Sequence, residues 1–461
     1  MSLTTASAPK TEAEQEARPL LVSQSLDIPS SISNDTIVRH DCLLHIRGDL
    51  LGSLTIERGA KVIVEGTIEG KIINRGGSLV VNNRGIAACA RLDGPPDAEA
   101  CGVLRINLSA VAANWDLLTQ RSQAECGAVV KGNAYGCGIE PVVGTLLRVG
   151  CKTFFVSNIP EARRVRSVSP DAAIYVFDGF YSGIAPVFAE VDARPVIYSA
   201  AELAEWEIFV AGQQWPGGYA LHVDTGAARR GISLQDAAAL APRIRSSNHG
   251  LKLLLSRLDS PGTSSEAQRD RQITGLRELR RLLDGVPASL ATSSGIFSSP
   301  KAHLDLVRAG SAVYGINPTP GSTNPMRPVL ELRAHILEVK TLAKGETLAG
   351  QFGFTAKRPT QLALVSAGRA DGFPLPISAK DQKLQVIVGN RRCPVIGRPS
   401  LDLVAIDVTD LPERSTARRG GMATLIGEGI SVDDLAAATQ QTGREVIACL
   451  GGRFHRVYHA N

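Results

Sequence analysis

From residue 104 to about 335 the chain alternates short apolar runs with longer stretches whose apolar residues recur every three to four positions. The runs 151–157, 173–177, 220–224 and 251–255 read as buried strands, and 140–149, 233–246 and 266–284 as amphipathic helices. The stretch Leu104 to Trp115 reads as a strand running into a helix N-capped near Ser109. Repeated strand–helix units joined by right-handed crossovers predict a (β/α)8 barrel over residues 103–335. From residue 336 the pattern shortens to β-runs at 336–342, 361–367, 384–388, 403–409 and 422–426, with one helix near 433–440. This predicts a separate, mostly β domain over 336–461.

A different repeat precedes the barrel. Offset by 18 residues, Ile46-Arg-Gly48-Asp-Leu50-Leu-Gly52-Ser-Leu54 aligns with Val64-Glu-Gly66-Thr-Ile68-Glu-Gly70-Lys-Ile72, and Gly59 aligns with Gly77. Short strands with glycines at corners of fixed period predict a small β-solenoid over 23–84, each coil stacking its inward Ile, Leu and Val on the next. An ordinary β-meander is the alternative. The repeat resembles the β-helix of bactofilin-type polymerising proteins, which implies a module for higher assembly or docking and no chemistry. Residues 85–102, with Gly94-Pro95-Pro96, read as a linker, and residues 1–22 as a disordered tail.

Composition narrows the function. A 461-residue chain that is 44% hydrophobic has ample material for buried cores. Its 50 basic and 45 acidic residues give a net charge of +5 without any basic block, which argues against a nucleic-acid partner. No apolar stretch reaches the roughly 18 residues needed to span a bilayer, and the first twenty residues lack the apolar core of a secretory signal. Eight cysteines without CxxC pairs indicate neither a disulfide framework nor a metal site, and they read as reduced thiols of a cytoplasmic protein.

The chemistry centres on Val129-Val-Lys131-Gly132-Asn-Ala-Tyr135-Gly-Cys137-Gly. An apolar run that delivers one lysine and then breaks into glycines reads as the C-terminal end of a barrel strand, where such folds carry their active sites. Burial there disfavours the ammonium and lowers its pKa. That suits Lys131 to form a Schiff base with a carbonyl cofactor such as pyridoxal 5'-phosphate, and then to act as a base.

This run closely resembles the cofactor-lysine signature of alanine racemases, Val-Lys-Ala-Asn-Ala-Tyr-Gly-His-Gly. Further motifs follow in the order of that family: His222-Val-Asp224-Thr-Gly226-Ala-Ala-Arg229-Arg-Gly231, Ser289-Leu-Ala-Thr292-Ser293-Ser294, and Asp305-Leu-Val-Arg308-Ala-Gly310-Ser311. The resemblance spans residues 103–461 and implies a pyridoxal-phosphate-dependent amino-acid racemase or epimerase working as a homodimer. It implies that Tyr135, Ser293 and the backbone amides near Gly310 and Ser311 hold the cofactor phosphate. It also implies that Arg308 faces the pyridine nitrogen, and that Arg229 reaches the cofactor's phenolic oxygen or the substrate carboxylate.

The departures cluster. The family's second base is a tyrosine in Gly-Tyr-Ala-Asp-Gly-Tyr, supplied by the partner subunit, and this chain reads Gly368-Arg369-Ala370-Asp371-Gly372-Phe373. Arg257 stands where a histidine supports that tyrosine, His222 where a lysine is usual, Phe352 for a tyrosine, and Leu401 for a methionine at the substrate side. Guanidinium is a poor base, so two-base chemistry on plain alanine is disfavoured. Arginines in these places favour a substrate with an extra anionic group. One-base chemistry on the same cofactor, by decarboxylation or retro-aldol cleavage, and a non-catalytic cofactor-binding assembly protein remain as alternatives.

Overall fold

The computed structural model describes residues 19–461 other than 65–71, 75–77, 82–98, 180, 213–214, 216, 248–249, 260–263, 349–351, 375–382, 413–415 and 460–461. Residues 1–18 of the expected tail, most of the linker with Pro95 and Pro96, and Gly66, Gly70 and Gly77 of the repeat therefore lie outside the described residues. The chain divides into two compact units, Met1–Arg91 and Leu92–Asn461.

In the first unit eight short strands form two parallel four-stranded sheets. One orders Leu20–Val22, Thr36–Val38, Leu54–Ile56 and Ile72–Asn74, and the other Leu26–Ile28, Leu43–Ile46, Lys61–Val64 and Ser78–Val81. Thr36 pairs with Leu54 and Leu43 with Lys61, so the 18-residue offset of the sequence is the offset of the ladder. Alternation puts Val38, Leu44, Ile46, Leu54, Ile56, Val62 and Val64 out of contact with water. Gly52 is required by close approach: a Cβ there would lie 2.4 Å from the Asn34 carbonyl of the preceding repeat.

The second unit opens with an exchange between its two parts. The strand Gly102–Asn107, expected at the start of the barrel segment, pairs instead with Leu330–Leu342 and with His455–His459. It thus belongs to the C-terminal sheet, because the apolar face of Leu104 and Ile106 is buried there. Asn107 rather than Ser109 caps the next helix, Leu108–Arg121, its side chain accepting from the Ala110 amide at 2.9 Å.

The barrel itself runs through eight parallel strands: Glu125–Val129, Thr153–Val156, Ala173–Val176, Arg194–Ile197, Tyr219–Asp224, Leu251–Leu255, Ala288–Ser289 and Leu306–Ala309. The last pairs back onto the first, Cys126 opposite Val307. Closure between the last two strands is thin, since Ala288–Ser289 is two residues long and the link there is an isolated bridge between Thr292 and Arg308. Inward side chains Val129, Phe155, Tyr175, Val196, Ala220, Leu253, Leu255 and Leu306 fill the interior as a closed cluster. Helices Ile159–Val168, Ala200–Ala211, Leu234–Ser246 and Glu266–Leu282 start at Asn158, Ser199, Ser233 and Ser265, each accepting an amide hydrogen bond.

The C-terminal sheet orders Arg391–Pro394, Gln385–Val388, Met422–Ile426, Leu330–Leu342, Thr360–Val365 and Val404–Asp407, all antiparallel. Leu330–Leu342 crosses the expected boundary at 335 and pairs with three neighbours. Two helices follow, Val432–Thr439 and Gly443–Ala448, the second unanticipated. Among the described residues no helix is long and apolar enough to cross a membrane.

Asn114 joins the helix Leu108–Arg121 to the barrel's exit. It is buried, donates to the Val313 and Arg327 carbonyls at 3.2 and 2.9 Å, and accepts from the Arg327 amide at 2.7 Å. Replacing Asn114 with alanine leaves that amide without its partner, and should lower unfolding free energy by about 1–3 kcal/mol in chemical denaturation.

Candidate active site

A cavity of about 1150 Å³ opens at the C-terminal ends of the barrel strands. Lys131 enters it directly after the strand Glu125–Val129. The chain then winds through left-handed backbone, with φ of 64° at Gly132 and 54° at Asn133, Ala134 and Tyr135. Such geometry costs roughly 1–2 kcal/mol for each residue that is not glycine. It is held by the Asn133 amide donating to Glu161 at 2.9 Å and the Asn133 side chain accepting from the Ile139 amide at 3.1 Å. The turn brings Tyr135 into the same cavity, its ring 4.7 Å from that of Tyr314.

Lys131 is exposed through the cavity, with the Phe177 ring centre 5.7 Å from Nζ. Burial first, then Arg257 and Arg444, holds its pKa below the ordinary lysine value, against the pull of Asp178 and Glu161. The amine is therefore more readily available as a free base and nucleophile.

Arg308 is fully buried at the cavity floor. Its Nη1 donates to the Ser289 carbonyl and hydroxyl, both at 2.9 Å, and its Nη2 to the Ser256 and Leu290 carbonyls, while Nε makes no such bond. Burial, with Arg257 next, lowers its pKa to about 10, so it stays protonated near neutral pH. The Ser293 hydroxyl oxygen accepts from the Gly310 amide at 3.0 Å and the Ala312 amide at 3.3 Å. The Gly310 amide of the expected phosphate site is thus engaged by Ser293 in this structure. The Ser311 amide, the Ser293 hydroxyl proton and the Tyr135 hydroxyl remain as donors, and all three residues line the cavity.

Arg229 lines the cavity from the loop after Tyr219–Asp224. Asp224 shapes that loop by accepting from the amides of Gly226, Ala227 and Arg229 at 2.8–3.0 Å. Burial pushes the Asp224 carboxyl up, but these amides outweigh it and leave the pKa below the ordinary value. His222 stacks on Tyr198, ring centres 5.0 Å apart, with Nδ1 buried and without a hydrogen-bond partner. Burial, with Arg308 next, pushes its pKa down to about 4.

The structure does not bring every expected residue together. Arg369 and Leu401 lie outside the cavity of their own chain, and both are exposed. They are neighbours: the Arg369 amide donates to Ser400 at 3.0 Å and the Ala370 amide to Leu401 at 2.8 Å. Arg257 does line the cavity. So does Arg444, which sequence reading missed. It sits on the helix Gly443–Ala448, packed so closely on the lysine loop that a Cβ at Gly136 would lie 2.6 Å from the Ile447 carbonyl. Its only sequence signal is an arginine at the start of a short helix, which carries no chemistry alone.

A lysine just past the end of a barrel strand, a guanidinium N–H without a protein partner, the tyrosine of the lysine loop, and a serine and an amide at late barrel loops are the donors that a phosphorylated pyridine aldehyde needs. The site is that of a pyridoxal-phosphate barrel enzyme. The alanine racemase N-terminal domain model matches residues 106–318 and the alanine racemase C-terminal domain model matches 329–458. A protein described as alanine racemase from Methylobacterium sp. (strain 4-46) is 42% identical over 358 residues, 77% of this chain and 97% of that one. The biosynthetic alanine racemase of Agrobacterium fabrum is 36% identical over 365 residues, 77% of this chain and 93% of that one. Two crystal structures of alanine racemases superpose on 78% of the chain. That from Bartonella henselae with covalently bound pyridoxal phosphate has a TM-score of 0.73 at 28% identity and is covered over its full length. The biosynthetic one from Pseudomonas aeruginosa has 0.71 at 31% and is covered over 99%. The chain belongs to the alanine racemase family, and it is an amino-acid racemase dependent on pyridoxal phosphate. Neither matched stretch includes the N-terminal unit.

His222 yields a pH prediction. Its folded pKa of about 4 lies below the ordinary 6.5, so the unfolded chain binds the proton first. Stability should fall as pH drops from 6.5 towards 4, and the fall should be smaller in His222→Phe, which keeps the stack on Tyr198. Denaturant midpoints measured across that window check it.

Proposed function

We propose that Lys131 carries the cofactor and exchanges the Cα proton on one face of the bound amino acid. The supporting observation is a lysine whose amine is desolvated in a cavity furnished with Tyr135, Ser293, Ser311 and Arg308. Tyr135, Ser293 and the Ser311 amide would hold the phosphate, and Arg308, whose Nε has no protein partner, would meet the ring nitrogen. Because Arg308 stays protonated, it leaves that nitrogen unprotonated and restrains the ring as an electron sink, which favours proton exchange over other outcomes at Cα. Bound pyridoxal phosphate supplies the electron withdrawal that acidifies Cα. Arg229 takes the substrate's α-carboxylate.

The opposite face is completed by Arg369 from a second copy of the chain. Arg369 and Leu401 form an exposed edge away from their own cavity, and Leu401 keeps 62% of its surface open, as suits a segment that docks into a partner's site. The protein is thus a cytoplasmic homodimer with two composite sites. Its N-terminal unit, whose central ladders repeat every 18 residues, is a β-solenoid used for higher assembly.

The purified protein should develop a visible absorption band with pyridoxal phosphate, and Lys131→Ala should not. Mixing the Lys131→Ala chain with an Arg369→Ala chain should restore one intact site in each heterodimer. A confirmed heterodimer without activity would show that each site is built from one chain.

Arginine is too weak a base to shuttle a proton efficiently at neutral pH. Arg369→Tyr should therefore raise alanine racemisation, followed by chiral chromatography. Rapid alanine turnover by the unaltered protein, unimproved by the change, would contradict this role.

A further inference from the structure

The cavity carries more positive charge than cofactor and a neutral amino acid require. Six cationic side chains line it among the described residues, Lys131, Arg229, Arg230, Arg257, Arg308 and Arg444, against two carboxylates, Asp224 and Glu445. Both carboxylates are engaged: Asp224 by its loop amides, and Glu445 by the Thr442 amide and hydroxyl, each at 2.7 Å. Arg230 is paired with Glu202 at 3.0 Å, and Arg308 is bound to carbonyls. Arg229, Arg257 and Arg444 have no ion pair or side-chain hydrogen bond with any described residue.

The anions already assigned do not account for all three. The cofactor phosphate, with about two negative charges, is met by Tyr135, Ser293 and Ser311, and the substrate α-carboxylate by Arg229. Arg257 and Arg444 remain. They approach from different parts of the fold, one from the loop after Leu251–Leu255 and the other from the helix Gly443–Ala448. Both bear electrostatically on Lys131 and on each other. Asp259 acts on Arg257 and Glu445 on Arg444 through space, but neither arginine forms an ion pair with a described residue, and each can clasp a carboxylate through two parallel hydrogen bonds.

We infer that Arg257 and Arg444 form a second anion site beside Lys131 that takes the side-chain carboxylate of a dicarboxylic amino acid. The substrate is then an acidic amino acid of the aspartate or glutamate type. This rests on Lys131 being the cofactor lysine.

The test uses the protein charged with pyridoxal phosphate. L-Aspartate, L-glutamate and L-alanine are titrated against its visible band, and loss of optical purity is followed for each. One of the acidic amino acids should saturate at a concentration on the order of tenfold or more below alanine. Arg444→Gln and Arg257→Gln should each lower its preference over alanine by on the order of 10- to 100-fold. Arg444→Lys should recover part of that preference, and an intact visible band shows that a variant is folded and loaded. Equal or better binding of alanine, or an unchanged preference in both glutamine variants, overturns this site while leaving the cofactor assignment standing. So does an Arg444→Gln chain that needs much more pyridoxal phosphate to form its band yet keeps its preference, because Arg444 then serves the cofactor phosphate. A wild-type chain that forms no band overturns both.

Discussion

The buried guanidinium of Arg308 is the interaction on which the site depends. The barrel closes where its backbone ladder is weakest, between a two-residue strand and Leu306–Ala309. Arg308 reaches from the last strand to carbonyls at the ends of the two before it, Ser256, Ser289 and Leu290. A charge this deep is tolerable only when hydrogen bonds offset its lost hydration. These bonds link three strand ends and leave Nε without a partner among the described residues. One side chain therefore both ties these strand ends together and lines the cavity.

That charge also sets the electrostatics around it. Arg257 lies next to Ser256, and Arg308, Arg257 and Arg444 depress one another or Lys131. A cationic wall makes the lysine amine a better nucleophile and raises the cavity's affinity for anions at the same time. His222, pressed between Tyr198 and this wall, is driven to its neutral form and cannot add to the charge.

Geometry around Lys131 comes from a strained turn braced on both sides. The left-handed residues 132–135 are held by Glu161 from one barrel helix and packed by the helix Gly443–Ala448 from the C-terminal part. The C-terminal sheet in turn borrows the strand Gly102–Asn107 that precedes the barrel in sequence, so the two parts of the second unit are tied by shared backbone hydrogen bonds. The helix bearing Arg444 is thereby fixed over the cavity.

Much of this was legible in the chain. Periodicities of two and three to four residues marked most barrel strands and helices, and the 18-residue repeat appeared directly as ladder register, because both depend on local alternation between buried and exposed positions. The lysine loop, Tyr135, Arg229, Ser293, Arg308 and Ser311 were readable because they sit in contiguous motifs. Other features were decided only in three dimensions. The strand Gly102–Asn107 reads as a strand in either part, and only long-range pairing chooses its sheet. Ser293 oxygen captured the Gly310 amide through a contact 17 residues away, which no local pattern encodes. Arg444 entered the cavity because packing of a six-residue helix on Gly136 put it there, and Arg369, on an exposed turn beside Leu401, stayed outside it. Sequence determined which groups were available and on which elements they rode; tertiary packing decided which charges met, since electrostatic coupling depends on distance in space and not on separation along the chain.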